Sequence, residues 1–223
     1  MKRRILLSVA LFLVFLPATI RAELILSVTN LTLPVGGIGY VDVMVSSNSN
    51  DGDLVNAFNL DLCLATQGQT RLEFATVQPD LQLSDNDYIF FNNSFASDTT
   101  IAIGAVSTLV EPNDRFVGGD NTANFADVLV TSPRLLARLQ VTADTALPPN
   151  EGDVFVLAVN ANSTSFQNGD VVNPTLVGFS VSNTGTISVV PEPAVLILLG
   201  IGVAAYFVFS FGIRYAALLS IGR

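Results

Sequence analysis

Histidine and tryptophan are absent from the 223-residue chain, and cysteine occurs once, at Cys63. Without histidine there is no Ser-His-Asp or Cys-His machinery and no histidine-ligated zinc or copper site. A lone cysteine forms no intrachain disulfide. Cys63 alternates with Leu62 and Leu64 in a segment without nearby cations, so it reads as a small packing residue and not as an activated thiol. Basic residues are scarce where they would matter most. Residues 23–190 hold 4 of them against 18 acidic ones, a balance of −14 within an overall −9. Such a surface repels phosphate backbones and argues against nucleic acid as a partner.

These absences leave a carboxylate pair as the remaining catalytic machinery, and nothing marks one. Glu73 is the only glutamate clearly inside a strand-like segment, Glu111 and Glu151 stand beside proline or glycine in turns, and no Asp-Thr-Gly triplet occurs. The chain is therefore expected not to be an enzyme, with a carboxylate-dependent hydrolase as the remote alternative.

Both ends of the chain are hydrophobic. Lys2, Arg3 and Arg4 precede an apolar block from Ile5 to Leu16, then Pro17 and small residues ending at Ala22. This is the layout of a secretory signal peptide over residues 1–22, with a second cut point conceivable after Ala18. Near the other end, residues 194–213 are 20 residues without a charge. As a helix rising ~1.5 Å per residue they would cover the ~30 Å hydrocarbon core, and their apolar side chains point all round the wheel. With the preceding part exported, Arg214 and Arg223 would stay cytoplasmic. Directly before this run stands Pro191-Glu192-Pro193. Two prolines around one residue forbid a regular helix and favour extended backbone, the form a protease reads.

The triplet, the apolar run and the arginines together resemble a PEP-CTERM protein-sorting signal, here assigned to residues 191–223. The resemblance implies a precursor held in the membrane by its carboxyl-terminal helix until an exosortase-type enzyme processes it near Pro191, Glu192 and Pro193. It departs from the usual pattern in that "YAALLSIG" separates Arg214 from Arg223, where a cluster of arginines normally follows the span.

Residues 23–190, 168 in number, suit one domain burying nearly ~70% of its unfolded surface. Helical periodicity is scarce there and two-residue alternation recurs. In "GYVDVMVS", Val41, Val43 and Val45 share a face; in "NAFNLDLCLA", Phe58, Leu60, Leu62 and Leu64 do. Further candidate strands are "LILSV", "RLEFATVQ", "YIFF", "TTIAIGAVS", "RLLARLQVTA", "DVFVLAVN", "LVGFSV" and "TGTISVV". Turn-rich stretches such as "NSNDGD", "LPVGG", "GGDN", "LPPNEGD" and "QNGD" separate them. The pattern predicts an all-β, antiparallel two-sheet sandwich. The order of "LTLPVGGIGYVDVMVSS", "AFNLDLCLA", "RLEFATVQ", "LLARLQVTA" and "GTISVV" resembles the cohesin-like family, which implies a jelly roll of about nine strands and an attachment role outside the cell. The family's tyrosine-aspartate-proline turn is missing from "CLATQGQTRLEF", and dockerin binding is not implied, because the contact surface has no residue-by-residue match.

Two stretches invite a ligand. Asn50, Asp51 and Asp53 beside Gly52 offer hard oxygens for calcium, but with Gly52 at the sixth position of an EF-hand loop Phe58 falls where the bidentate glutamate belongs, so a solvated turn explains the same letters. In "YIFFNNSF", Tyr88 and Phe91 are the place to look for a stacked sugar, against the alternative of an edge strand packing on both sides. The sequence reading is thus an exported cell-surface or matrix protein with a structural or adhesive sandwich, whose partners are an exosortase-type enzyme and extracellular polysaccharide or another surface protein. A secreted calcium- or carbohydrate-binding module is the alternative.

Overall fold

The computed structural model describes residues 23–65, 70–95, 114–143, 148–169 and 172–191. The signal peptide, the strand expected from "TTIAIGAVS" and the span at 194–213 lie outside the described residues. Among those described, no helix is long and apolar enough to cross a membrane.

Among the described residues there are fourteen strands and one short 3₁₀ turn, Leu81–Ser84. One sheet has the order β13(Phe179–Asn183), β1(Leu24–Val28), β3(Ile38–Ser47), β9(Arg134–Ala143), β6(Leu72–Phe74). The other runs β12(Thr175–Val177), β11(Ser165–Asn168), β5(Ala57–Leu64), β10(Val154–Val159), β14(Gly185–Val190), β2(Leu31–Pro34), with β7(Arg115–Asn121) on the free side of β5. A two-stranded ribbon of β4(Asp53–Val55) and β8(Val128–Val130) stands beside them.

The alternation read in the sequence is what closes this sandwich. Val41, Val43 and Val45 of β3 are fully buried and meet Leu60 and Leu62 of β5 in one core, while Tyr40, Asp42 and Met44 take the other face of β3. Each such side chain stabilises the fold by ~1.5–3 kcal/mol over its exposed state. An aromatic cluster fills one region of the core: Phe58 stacks on Phe90 with ring centres 5.7 Å apart, and Phe166 meets Phe179 edge-on at 5.5 Å. A second pair, Phe74 and Phe116, joins the two sheets at 5.9 Å.

The fold has more strands than expected because long strands break where they change sheet. β1 belongs to the first sheet; after Thr29 and Asn30 the chain continues as β2 in the second. The carboxyl end does the same at Thr184, between β13 and β14. The two ends run side by side, so β1 pairs with β13 and β2 with β14 in parallel, two exceptions to the otherwise antiparallel ladders. Asn30 joins the crossings, its Oδ1 accepting from the Thr186 amide and hydroxyl at 2.9 Å each.

Two stretches differ from the sequence reading. "GGDN", expected as a turn, lies in β7, where Gly119 sits so close to β5 that a Cβ would come within 2.2 Å of the Phe58 carbonyl oxygen. The glycine serves a close approach of two strands and not a turn. "YIFF", expected as a strand, is a succession of turns with a single bridge from Tyr88 to Leu135. Three of its four residues, Tyr88, Ile89 and Phe90, are buried in succession, so no face is left for a regular half-exposed strand.

Candidate functional site

The sorting triplet begins where the sandwich ends. Val190, the last residue of β14, accepts a hydrogen bond from the Val35 amide at 3.0 Å. On the other side Val189 is held twice, its amide donating to Asp153 and its carbonyl accepting from Gly152, both at 2.9 Å. β14 is thus an interior strand to its last residue, with Ile187 and Val189 in the core. Pro191 then stops the ladder, because it has no N–H to donate, and it also biases Val190 toward the extended backbone a strand needs. Only Pro191 of the triplet is described; Glu192, Pro193, Arg214 and Arg223 lie outside the described residues.

The calcium candidates separate. Asn50 and Asp51 are exposed at a turn closed by the Gly52 amide on the Ser49 carbonyl, with Gly52 at φ 78°. Asp53 is buried, and its Oδ2 accepts from the Ser47 hydroxyl at 2.5 Å. No group of three or more His, Cys, Asp or Glu side chains able to hold a metal ion occurs among the described residues. The letters that suggested a metal loop belong to a turn between β3 and β4, with one aspartate turned inward.

Tyr88 is not available to a ligand. It is buried, and its hydroxyl donates to Asp120 Oδ2 at 2.6 Å, where the Ser94 hydroxyl also donates. Burial, reinforced by the Asp120 charge, raises the phenol above its ordinary range. Phe91 is half-buried against the core. The aromatic excess of "YIFFNNSF" is thus absorbed by packing, with the Tyr88 and Phe90 rings in T-shaped contact, centres 6.1 Å apart.

The polar centre that pattern reasoning missed is Asp61. Alternation puts it on the outer face of β5, yet its side chain is fully buried. The cause is a bulge: between Val159 opposite Leu62 and Ser165 opposite Asn59, residues 160–164 loop over two residues of β5. The loop covers Asp61, whose backbone amide donates to Thr164 Oγ1 and whose carbonyl accepts from Asn160. Arg115 Nη2 reaches Oδ2 at 2.6 Å and Asn160 Nδ2 reaches it at 3.0 Å. The Arg115 hydrogen bonds hold the Asp61 carboxyl below its ordinary range against the opposing effect of burial. Neighbouring Cys63 goes the other way: burial raises its thiol, followed by the negative charge of Asp61, which fits a packing role. A second anchor sits on the other sheet, where Arg138 binds Asp42 through two nitrogens and Asp85 through a third.

Residues 189–214 match the family model described as the PEP-CTERM protein-sorting motif. No curated protein matches the chain. Among solved structures, a chain of the CaDoc0917–CaCohA2 complex at pH 5.5 is 15% identical, with 75% of this chain and 99% of that one covered and a TM-score of 0.51. CaCohA2 from Clostridium acetobutylicum in solution is 16% identical, covering 75% and 91%, with a TM-score of 0.49. A non-cellulosomal cohesin from the hyperthermophilic archaeon Archaeoglobus fulgidus is 13% identical, covering 78% and 95%, with a TM-score of 0.45. At such identities the first of these speaks for the fold alone. The chain carries a PEP-CTERM protein-sorting motif, the mark of an exported protein sorted to the cell surface, behind a β-sandwich of the cohesin fold.

Proposed function

We propose that the sandwich is cargo of the envelope or the extracellular matrix, with a structural or adhesive binding role, delivered as a membrane-held precursor and freed at its carboxyl end by an exosortase-type enzyme. In this reading residues 1–22 are the leader, Pro191, Glu192 and Pro193 the processing motif, residues 194–213 the temporary span, and Arg214 and Arg223 its cytoplasmic end. One observation carries the reading: ladder hydrogen bonds extend to Val190 and the Pro-Glu-Pro triplet starts at the next residue. A three-residue extended segment spans at most ~10 Å, so a folded sandwich would stand directly on the membrane with only the triplet exposed to an enzyme. Cutting there would leave every strand of the sandwich intact.

The acidic balance of the domain favours release from an anionic membrane surface over lasting contact with it. That CaCohA2 was solved in a complex with CaDoc0917 supports a partner-binding use of the fold, with another surface protein as the partner. The experiment is fractionation of the native host with surface proteolysis, comparing the parent with a variant carrying Pro191→Ala, Glu192→Ala and Pro193→Ala. The parent is expected outside or on the surface and the variant as a membrane-retained precursor. Full-length chain soluble in the cytosol with its leader uncut would contradict the proposal.

A further inference from the structure

A cleft of about 220 Å³ opens on the outer face of the second sheet, where β7, β5 and β11 run side by side. Its floor is set by register. Ala57 pairs with Asn121 on one side and with Gln167 on the other, so a small residue lies between two amides in one row. Adjacent strands are ~4.8 Å apart, which places the two amide-bearing backbones about 10 Å from each other across a shallow trough. At one end stands Phe125, with 46% of its surface exposed.

Phe125 is held there against its own preference. Its φ is 57°, in the left-handed region that a bulky residue rarely enters. Its amide donates to the Thr122 carbonyl at 3.1 Å, and its carbonyl accepts from Asn56 Nδ2 at 3.4 Å. The same buried Asn56 nitrogen donates to the Gly169 carbonyl at 2.6 Å, so one side chain ties both rims of the cleft together. Strain of this kind persists only where surrounding contacts over-determine it, and it concentrates at binding sites.

The open hydrogen-bonding groups have one chemistry in common. The Gln167 side chain has no partner among the described residues, and Asn121 uses its Nδ2 on the Thr122 carbonyl, leaving Oδ1 open. Neither is charged, and Asp127 at the rim accepts from the Gly169 amide. Amides that both donate and accept suit hydroxyl groups, which do the same, and an exposed aromatic face suits the C–H side of a sugar ring. An apolar wall with a few convergent polar groups is the usual make-up of a small-ligand cleft.

We infer that this cleft binds a neutral hexose unit of a polysaccharide, stacked on Phe125 and hydrogen-bonded between Gln167 and Asn121. The acidic balance of the domain disfavours uronate-containing chains. The site goes beyond the routing proposal, since it stands whether or not the tail is cut.

The test is saturation-transfer NMR on the full chain in a detergent without a sugar headgroup, with cello-, manno- and galacto-oligosaccharides and a polygalacturonate oligomer as probes. At least one neutral series should receive saturation, strongest on one ring, and the polygalacturonate none. Phe125→Gly should weaken binding on the order of tenfold or more. Its melting temperature should be no lower than the parent's, since glycine adopts the positive φ without strain. Gln167→Ala, at a half-exposed strand position, should also weaken binding, and it decides the matter should Phe125→Gly fail to fold. No transfer to any neutral probe, transfer to the polygalacturonate alone, or binding unchanged in both variants would overturn the inference.

Discussion

The guanidinium of Arg115 closes over the carboxylate of Asp61 with two hydrogen bonds, Nε to Oδ1 at 2.9 Å and Nη2 to Oδ2 at 2.6 Å. The pair pins the bulge that joins β10 to β11 across β5, and through it the row of residues on the outer face of the second sheet.

This pair makes the domain sensitive to acid. The folded carboxyl titrates below its ordinary value of 3.8, so its stabilising contribution is complete above that value and is lost as pH falls through the lower, folded one. Asp61→Ala should cost about 1–3 kcal/mol at neutral pH, because Asn160 and the Asp61 site lose their hydrogen bonds. Arg115→Ala should lower the melting temperature at neutral pH and flatten its fall with acid, since without its cation the buried Asp61 carboxyl is no longer held below its ordinary range. Thermal melts from pH 7 to pH 3 check both.

Tyr88→Phe removes the hydroxyl that donates to Asp120 and nothing else. Hydrogen bonds to charged groups contribute ~1.5–3 kcal/mol, so denaturant unfolding should show a loss in that range. Oligosaccharide binding should be unchanged, which separates this buried tyrosine from the cleft at Phe125.

Gly119→Ala places a methyl group against the Phe58 carbonyl, within 2.2 Å if nothing moves. β7 must shift away from β5, at a cost of about 3 kcal/mol. Gly152→Ala, where nothing lies within 4 Å but φ is 88°, should cost less, as backbone strain alone. Comparing the two in urea separates close approach from conformational freedom.

Much of this architecture was legible in alternation. The faces of "GYVDVMVS" and "NAFNLDLCLA" follow from a period of two, and β3 and β5 bury the residues that pattern selects. What alternation cannot carry is the third dimension. The bulge at 160–164 turned an outward Asp61 into a buried one, and its signal, Asn160 with Ser163 and Thr164, looks like any polar turn. "GGDN" read as a turn because glycines and aspartate are turn formers, whereas Gly119 answers to the Phe58 carbonyl and Asp120 to Tyr88, a partner 32 residues away. "YIFFNNSF" drew attention as a ligand surface through its aromatic content, and the core took up Tyr88 and Phe90, while the exposed ring of Phe125 lies in the loop between β7 and β8. The sorting motif was legible because its chemistry is local: two prolines, one glutamate and an apolar run need no partner elsewhere in the chain.

Mass spectrometry of the carboxyl terminus of material recovered outside the cell puts the account to its most direct trial. With β14 locked through Val190, the mature chain should end between Pro191 and the start of the apolar run at Ala194. An exported chain still ending at Arg223, or one cut within β14, would contradict it.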